Sequence, residues 1–485
     1  MSDKVREILK LFGKMNEIPR CSGDEAALAA WLCEWADTNG FTHRSDAAGN
    51  LIINVPASAG WERAPTVVFQ AHMDMVCEKT PDSSHDFLKD PIRMLQEGDW
   101  LIGEDTSIGA DNGAAIAVGM VFATDPAVAR PPLELLFTVD EESGLKGARK
   151  IPADFIDGGI LLNVDSEDEG VFTIGCAGGT DTRVARGFEL DKVPVDHVVV
   201  EISAGGMRGG HSGIDIGKHR ANANKILARL LSAAAKCGDL RLIVLEGGSK
   251  HNAIPREARA EVSMPGRLLE ETEKHVRAVA EDIASEFQAT EKDLSILFEK
   301  QATSGGIQAL SPGDTQTVSD FLLIIPNGVI ETVPGQSGRV ETSCNMATLE
   351  LKGDWFSMLV SQRSSVMSRL EAINRQVEAA AALAGATART VNHYPAWPAK
   401  KNSPLLKRCR QVYKACFGSE PVVEIIHAGL ECAVIGSKYP GMDMISFGPT
   451  MKNPHSPGEK LNIPSMEKLW EFLVALMKSF GPDAA

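Results

Sequence analysis

Hydrophobic runs that stop on a metal-binding side chain restrict this chain most, because the side chains can act together only if the fold ends those runs at one place. There are five such stretches: His72-Met73-Asp74, Gly109-Ala110-Asp111-Asn112-Gly113, Asp140-Glu141-Glu142, Val164-Asp165-Ser166 and Pro454-His455-Ser456. Three of them follow short β-forming segments, residues 66–69, 133–138 and 160–164, with the length and apolar character of buried strands. In an α/β fold whose sheet is covered by helices, ligands gather beyond the carboxyl ends of the strands. His72, Asp111, Glu142, Asp165 and His455 would converge there. Imidazole nitrogen and carboxylate oxygen both suit Zn²⁺, and a catalytic site keeps one position for water. The set reads as a two-zinc hydrolase site, with Asp111 as the carboxylate shared by both ions.

Each fragment alone has a plainer reading. A His-x-Asp after a strand is commonly a loop pair, and Asp111 suits the N-cap of a helix starting near Asn112. Glu141-Glu142 suits a solvated loop, and His455 between Pro454 and Pro457 suits a rigid turn. Coincidence at all five is the less economical account. Neighbouring side chains of an extended segment point to opposite sides, so in Asp140-Glu141-Glu142 one acid can face a metal while the next faces water; Asp140 competes for either role on pattern alone.

With 485 residues the chain exceeds one ordinary core, so two or more domains are expected. Four metal motifs occur by residue 165 and the fifth only at 455, which marks an insertion. Its expected limits divide the chain into residues 1–187, an inserted domain at 188–395, and a returning segment at 396–485, the second limit falling on Tyr394-Pro395-Ala396-Trp397-Pro398. Inside it the pattern reads strand 195–203, helix 218–235, strands 240–245 and 254–264, helix 268–287 and strand 294–298, the split βαββαβ order of ferredoxin-like units. A second, incomplete copy follows, with helices near 314–323 and 366–383 and strands at 340–351, 355–361 and 390–394. Residues 443–447 read as a strand delivering the His455 loop, and Leu469, Phe472, Leu473, Leu476, Met477 and Phe480 as the inward stripe of a final helix.

A net charge of −16 argues against nucleic acid or an anionic membrane as partner, since both require a basic face. The nine cysteines are odd in number and lack a Cys-x-x-Cys pair, which points to reduced thiols and a cytoplasmic protein. Val5, Ile8, Leu9 and Phe12 fall at helical spacing among charges, unlike the continuous apolar block of a signal peptide. No apolar stretch reaches the length of about 20 residues that a bilayer span requires.

Five segments resemble the co-catalytic zinc peptidases, the family of aminoacylases, carboxypeptidase-like deacylases, tripeptidases and dipeptidases, and the resemblance spans nearly the whole chain. They are Gln70-Ala71-His72-Met73-Asp74-Met75-Val76, Gly109-Ala110-Asp111-Asn112-Gly113, Gly175-Cys176-Ala177-Gly178-Gly179, Asn252-Ala253-Ile254-Pro255-Arg256-Glu257-Ala258 and Ile426-His427-Ala428-Gly429-Leu430-Glu431-Cys432. Within that family the chain resembles the bacterial dipeptidase branch. The resemblance implies one zinc on His72 and Asp165, another on Glu142 and His455, Asp111 bridging, Glu141 as general base and Asp74 orienting the His72 ring. It further implies that the insertion is a lid of two ferredoxin-like halves that also forms a homodimer. His211 would contact the transition state or the substrate carboxylate, and Asn252 and Arg363 would bind that carboxylate, Arg through its rigid donor fork. Gly429 and Glu431 would lie near the substrate's other end, with Glu431 receiving an ammonium; helix capping or a buried ion pair fits Glu431 equally. The expected activity is zinc-dependent hydrolysis of dipeptides, including Xaa-His, with Mn²⁺ and Co²⁺ accepting the same ligands. An N-acyl amino acid deacylase would use the same metal core, whereas a non-catalytic relative would have lost a ligand or Glu141, and all are present.

Overall fold

The computed structural model describes residues 1–302, 306–336 and 338–481. The chain forms two compact units, the first comprising Met1–Cys176, Trp397–Ile426 and Leu430–Ala485, the second Ala177–Ala396 and His427–Gly429. The first division precedes the 187/188 limit read from the sequence because strand Gly178–Gly187 pairs with Trp355–Ser364 and Thr387–Tyr394, partners that belong to the second unit.

The first unit is built on an eight-stranded sheet, in the order Thr42–Ser45, Leu51–Val55, Leu133–Thr138, Val67–His72, Ile160–Asn163, Asp443–Ser446, Val171–Cys176, Val422–Ile426. Val67–His72 and Leu133–Thr138 are buried along their whole length. That explains why they are mainly apolar apart from Gln70, His72, Glu134 and Thr138, since a strand covered on both faces has no solvent side to make polar. Val67–His72 runs parallel to both Leu133–Thr138 and Ile160–Asn163, which in turn runs parallel to Asp443–Ser446. Their carboxyl ends therefore share one edge, carrying His72 and leading into residues 139–142 and 164–165. Helices Asp3–Met15, Ala110–Thr124 and Ile463–Lys478 contribute to the same core. The expected stripe of Leu469, Phe472, Leu473, Leu476, Met477 and Phe480 packs into it, each such side chain contributing about 1.5–3 kcal/mol on full burial.

Two features of this unit were not legible beforehand. Met451–Lys452, Lys460–Asn462, Trp100–Gly103 and Met94–Glu97 form a separate small sheet, so His455 rides on a hairpin tied to the segment before Asp111. Cys21 and Cys77 form a disulfide with Cα atoms 5.7 Å apart. This corrects the expectation that all nine thiols are reduced: a parallel bridge between Cys21 and Met75 brings together residues that no short spacing rule connects. Among the described residues the other seven cysteines are in no disulfide.

In the second unit, His197–Gly205, Ala223–Ala235, Arg241–Gly247, Ala258–Pro265, Leu269–Phe287 and Ser295–Lys300 make the expected βαββαβ unit. The second copy is complete where an incomplete one was expected, because Gly178–Gly187 supplies its missing strand beside Trp355–Ser364 and Thr387–Tyr394. The two halves join edge to edge where Leu245, Glu246 and Gly247 pair with Leu351, Glu350 and Leu349, giving one nine-stranded sheet. No described helix is long and apolar enough to cross a membrane.

Candidate metal centre

In the first unit the five expected ligands come together in two sets that share a residue: His72, Asp111 and Asp165, and Asp111, Glu142 and His455. His72 Nε2 lies 3.0 Å from Asp111 Oδ1 and 3.3 Å from Asp165 Oδ1. His455 Nε2 lies 3.1 Å from Asp111 Oδ2 and 2.8 Å from Glu142 Oε1. Asp111 thus turns one oxygen to each imidazole, the arrangement required of a bridging carboxylate. Both of its carboxylate oxygens are turned to imidazoles and not to the start of the helix, where Asp111 and Asn112 leave helical backbone angles.

Asp74 links three parts of this centre. His72 Nδ1 lies 3.1 Å from its carbonyl oxygen and 3.3 Å from its Oδ1, which directs Nε2 toward the carboxylates. Asp74 also accepts the backbone N–H groups of Glu141 (3.0 Å) and Glu142 (3.1 Å), with Ser22 Oγ donating at 2.7 Å. The acid turn is therefore held by the residue that faces the His72 ring. Asp140 separates from its neighbours here, its carboxylate 3.1 Å from Lys146 Nζ and accepting from Ser143. Glu141 joins His72 and Glu142 in the cluster.

Burial and the Glu142 charge raise the Glu141 carboxyl well above the usual range. Burial, reinforced by Asp111, pushes Glu142 up to about 7, and burial against the pull of His72 leaves Asp165 up at about 6. Despite burial, the hydrogen bonds to Asp111 and Glu142 push His455 up to about 11. Carboxyls whose ionisation is held back by burial and by one another, packed around two imidazoles, fit a site made for cations. Two dications would discharge that repulsion, and the nitrogen and oxygen donors suit Zn²⁺, Mn²⁺ or Co²⁺.

A pH dependence follows. At pH 7 the His455 ring holds a proton that an incoming cation must displace, so metal addition is expected to release at least about one proton per chain. Affinity should then weaken as pH falls from 7 toward 6, where Glu142 and Asp165 also take up protons. Titration calorimetry in buffers of different ionisation heat measures the release; heats independent of the buffer would remove the imidazoles from the ligand set.

Several neighbours were missed in the sequence because their types are ordinary and their partners distant. Asn112 Nδ2 donates to Asp165 Oδ1 at 2.8 Å and to the Val164 carbonyl at 2.7 Å. Arg20, fully buried, donates to the carbonyls of Gly109 (2.6 Å) and Met73 (3.2 Å). Glu25 accepts the Asp140 N–H at 2.9 Å. Glu431 is fully buried, and its Oε2 accepts from Gln70 Nε2 (2.6 Å) and Thr138 Oγ1 (2.7 Å). Burial pushes it up to about 8, which favours a role inside this polar network over the ammonium contact expected of it.

The second unit gathers a set of donors. His211 Nδ1 accepts from the backbone N–H groups of Gly213 (3.2 Å) and Ile214 (3.1 Å), which puts the neutral ring's proton on Nε2. Arg363 is buried, donates through Nη1 to Tyr394 Oη at 2.8 Å, and has no hydrogen-bond partner at Nε among the described residues. His427 Nε2 lies 2.8 Å from Ser343 Oγ, and burial together with the Arg363 charge pushes it down to about 3. A Cβ on Gly429 would stand 2.9 Å from the Tyr394 ring, so only glycine permits that approach. Asn252 sits in the turn before Ala253–Ile254, its carbonyl accepting from Ser212 N–H at 2.8 Å.

Comparison with known proteins places the chain in a family. The cytosol non-specific dipeptidase of Escherichia coli (strain K12) is 37% identical over 468 residues, 96% of each chain. The crystal structure of aminoacylhistidine dipeptidase from Vibrio alginolyticus superposes with a TM-score of 0.84 at 37% identity, over 99% of this chain and 97% of that one. Human carnosine dipeptidase 1 shares the fold at 12% identity, with a TM-score of 0.54 over 98% and 97% of the two chains. The sequence profile of peptidase family M20/M25/M40 matches residues 68–479, which takes in every residue of the metal centre, and the chain belongs to that family.

Proposed function

We propose that this peptidase is a dipeptidase working with two divalent cations, zinc first among them, that cleaves unblocked dipeptides including Xaa-His, with Glu141 as general base. The observation that carries this reading is Asp111, with one oxygen toward His72 and the other toward His455. When bound, the cations supply activation of a water, from a pKa of 15.7 to about 7, and polarisation of the scissile carbonyl. Glu141 takes the proton of the attacking water and returns it to the leaving amine. Burial and the Glu142 charge raise its carboxyl; with cations bound beside it the group would be ionised and able to accept that proton. Asp74 keeps the base and the His72 ring in register.

The dipeptide reading is supported by the names of the two relatives at 37% identity. Recognition of the substrate carboxylate falls to His211, Asn252 and Arg363, the last with an unpartnered Nε–H. We extend the reading to a homodimer formed through the second unit and to a cytoplasmic location.

Substrate length tests it. An added residue moves the terminal carboxylate outward by roughly 3.3–3.6 Å, and buried donors left without an acceptor cost about 1–3 kcal/mol each. Losing two or three such contacts at about 1.5 kcal/mol each lowers kcat/KM at least about a hundredfold. Ala-His is expected to be cleaved that much faster than Ala-His-Ala, with N-acetylated dipeptides also poor. Equal kcat/KM for the two peptides would show that no carboxylate clamp sets the length, and faster turnover of N-acetyl amino acids would favour the deacylase.

A further inference from the structure

Glu459 lies on the same hairpin as His455, between Met451–Lys452 and Lys460–Asn462, and is only 2% exposed. Its carboxylate receives four successive backbone N–H groups. Oε2 accepts from Ile108 (2.8 Å) and Gly109 (2.9 Å), and Oε1 from Ala110 (2.8 Å) and Asp111 (3.2 Å). Convergent N–H groups at the start of a helix form a concave anion site, and here the anion is a side chain of the protein. The turn is closed from another side as well. Gly109 has φ +61°, Arg20 Nη2 donates to its carbonyl at 2.6 Å, and a Cβ there would clash with that nitrogen.

We propose that Glu459 is a positioning residue for the metal centre, locking the backbone that carries Asp111 to the hairpin that carries His455. This rests on the reading of Asp111 and His455 as ligands. Asp111 and His455, two members of one cation set, arrive from a helix start and a hairpin turn far apart in sequence, and their imidazole–carboxylate distance of 3.1 Å depends on keeping these two segments in register. A carboxylate does this where an amide cannot, because all four donors need acceptor lone pairs and Gln offers a single oxygen. Aspartate keeps the charge but is one methylene too short to reach both pairs of N–H groups.

The test compares Glu459→Gln and Glu459→Asp with Glu134→Gln. Glu134 is an equally buried carboxylate whose backbone partners, Asp157 and Gly158, lie away from the ligands. All three variants should melt at lower temperature. In the Glu459 variants the metal dissociation constant, read by chelator competition, is expected to rise about 10–100-fold and kcat to fall comparably, with KM within about threefold. Glu134→Gln should leave metal affinity and kcat unchanged. Metal affinity and kcat within about twofold of wild type in a folded Glu459 variant would overturn the proposal. If neither variant folds, hydrogen exchange in the metal-free wild type decides: protected amides at 108–111 support the lock, and exchange at loop rates overturns it. A wild type that binds no divalent metal would instead defeat the metal reading itself.

Discussion

Glu141→Gln is expected to lower kcat by about 10²–10⁴ while leaving metal content unchanged, because it removes a proton acceptor and none of the five ligands. The amide is nearly isosteric, and Glu141 is held from its backbone N–H by Asp74, so the turn should keep its shape. KM should move little. Metal analysis after dialysis, beside steady-state kinetics on a dipeptide, measures both halves. Turnover near the wild-type rate, or loss of metal along with activity, would remove Glu141 as the base.

Asp111→Asn should have the broadest effect of any single ligand change. Asp111 alone belongs to both donor sets, and an amide presents N–H₂ to one of the two positions where a carboxylate presents oxygen. Its charge also balances His72 and His455, whose hydrogen bonds hold its carboxyl well below the usual range despite burial. The variant is expected to retain at most about one weakly held ion per chain and to lose more activity than the about 100-fold ceiling of outer-shell changes. Two ions still tightly bound after dialysis would show that Asp111 does not bridge.

The sequence was sufficient for whatever depends on short-range pattern. Buried parallel strands announce themselves as short, mainly apolar runs, so residues 133–138 and 160–163 were readable, and the side chain just past such a strand has few places to go. That is why His72, Glu142 and Asp165 could be named together. The helical spacing of Leu469, Phe472, Leu473, Leu476 and Met477 likewise revealed an inward face. The alternation of strands and helices carried the first ferredoxin-like half.

What depends on pairing between distant segments was decided only by the tertiary structure. Strand Gly178–Gly187 is compatible with either unit until its hydrogen bonds to Trp355–Ser364 are known. Cys21 and Cys77 are separated by 56 residues and meet through a bridge at Met75. Glu431 has the chemistry of an ammonium ligand, yet packing buries it against Gln70 and Thr138. Glu459 is in sequence one more surface-type acid near a proline; it becomes an acceptor for four N–H groups only when the hairpin returns beside residues 108–111. Local pattern reports which face of an element is apolar, because burial is a property of that element. Which carboxylate meets which backbone amide is a property of two elements at once, and the folded chain alone brings them together.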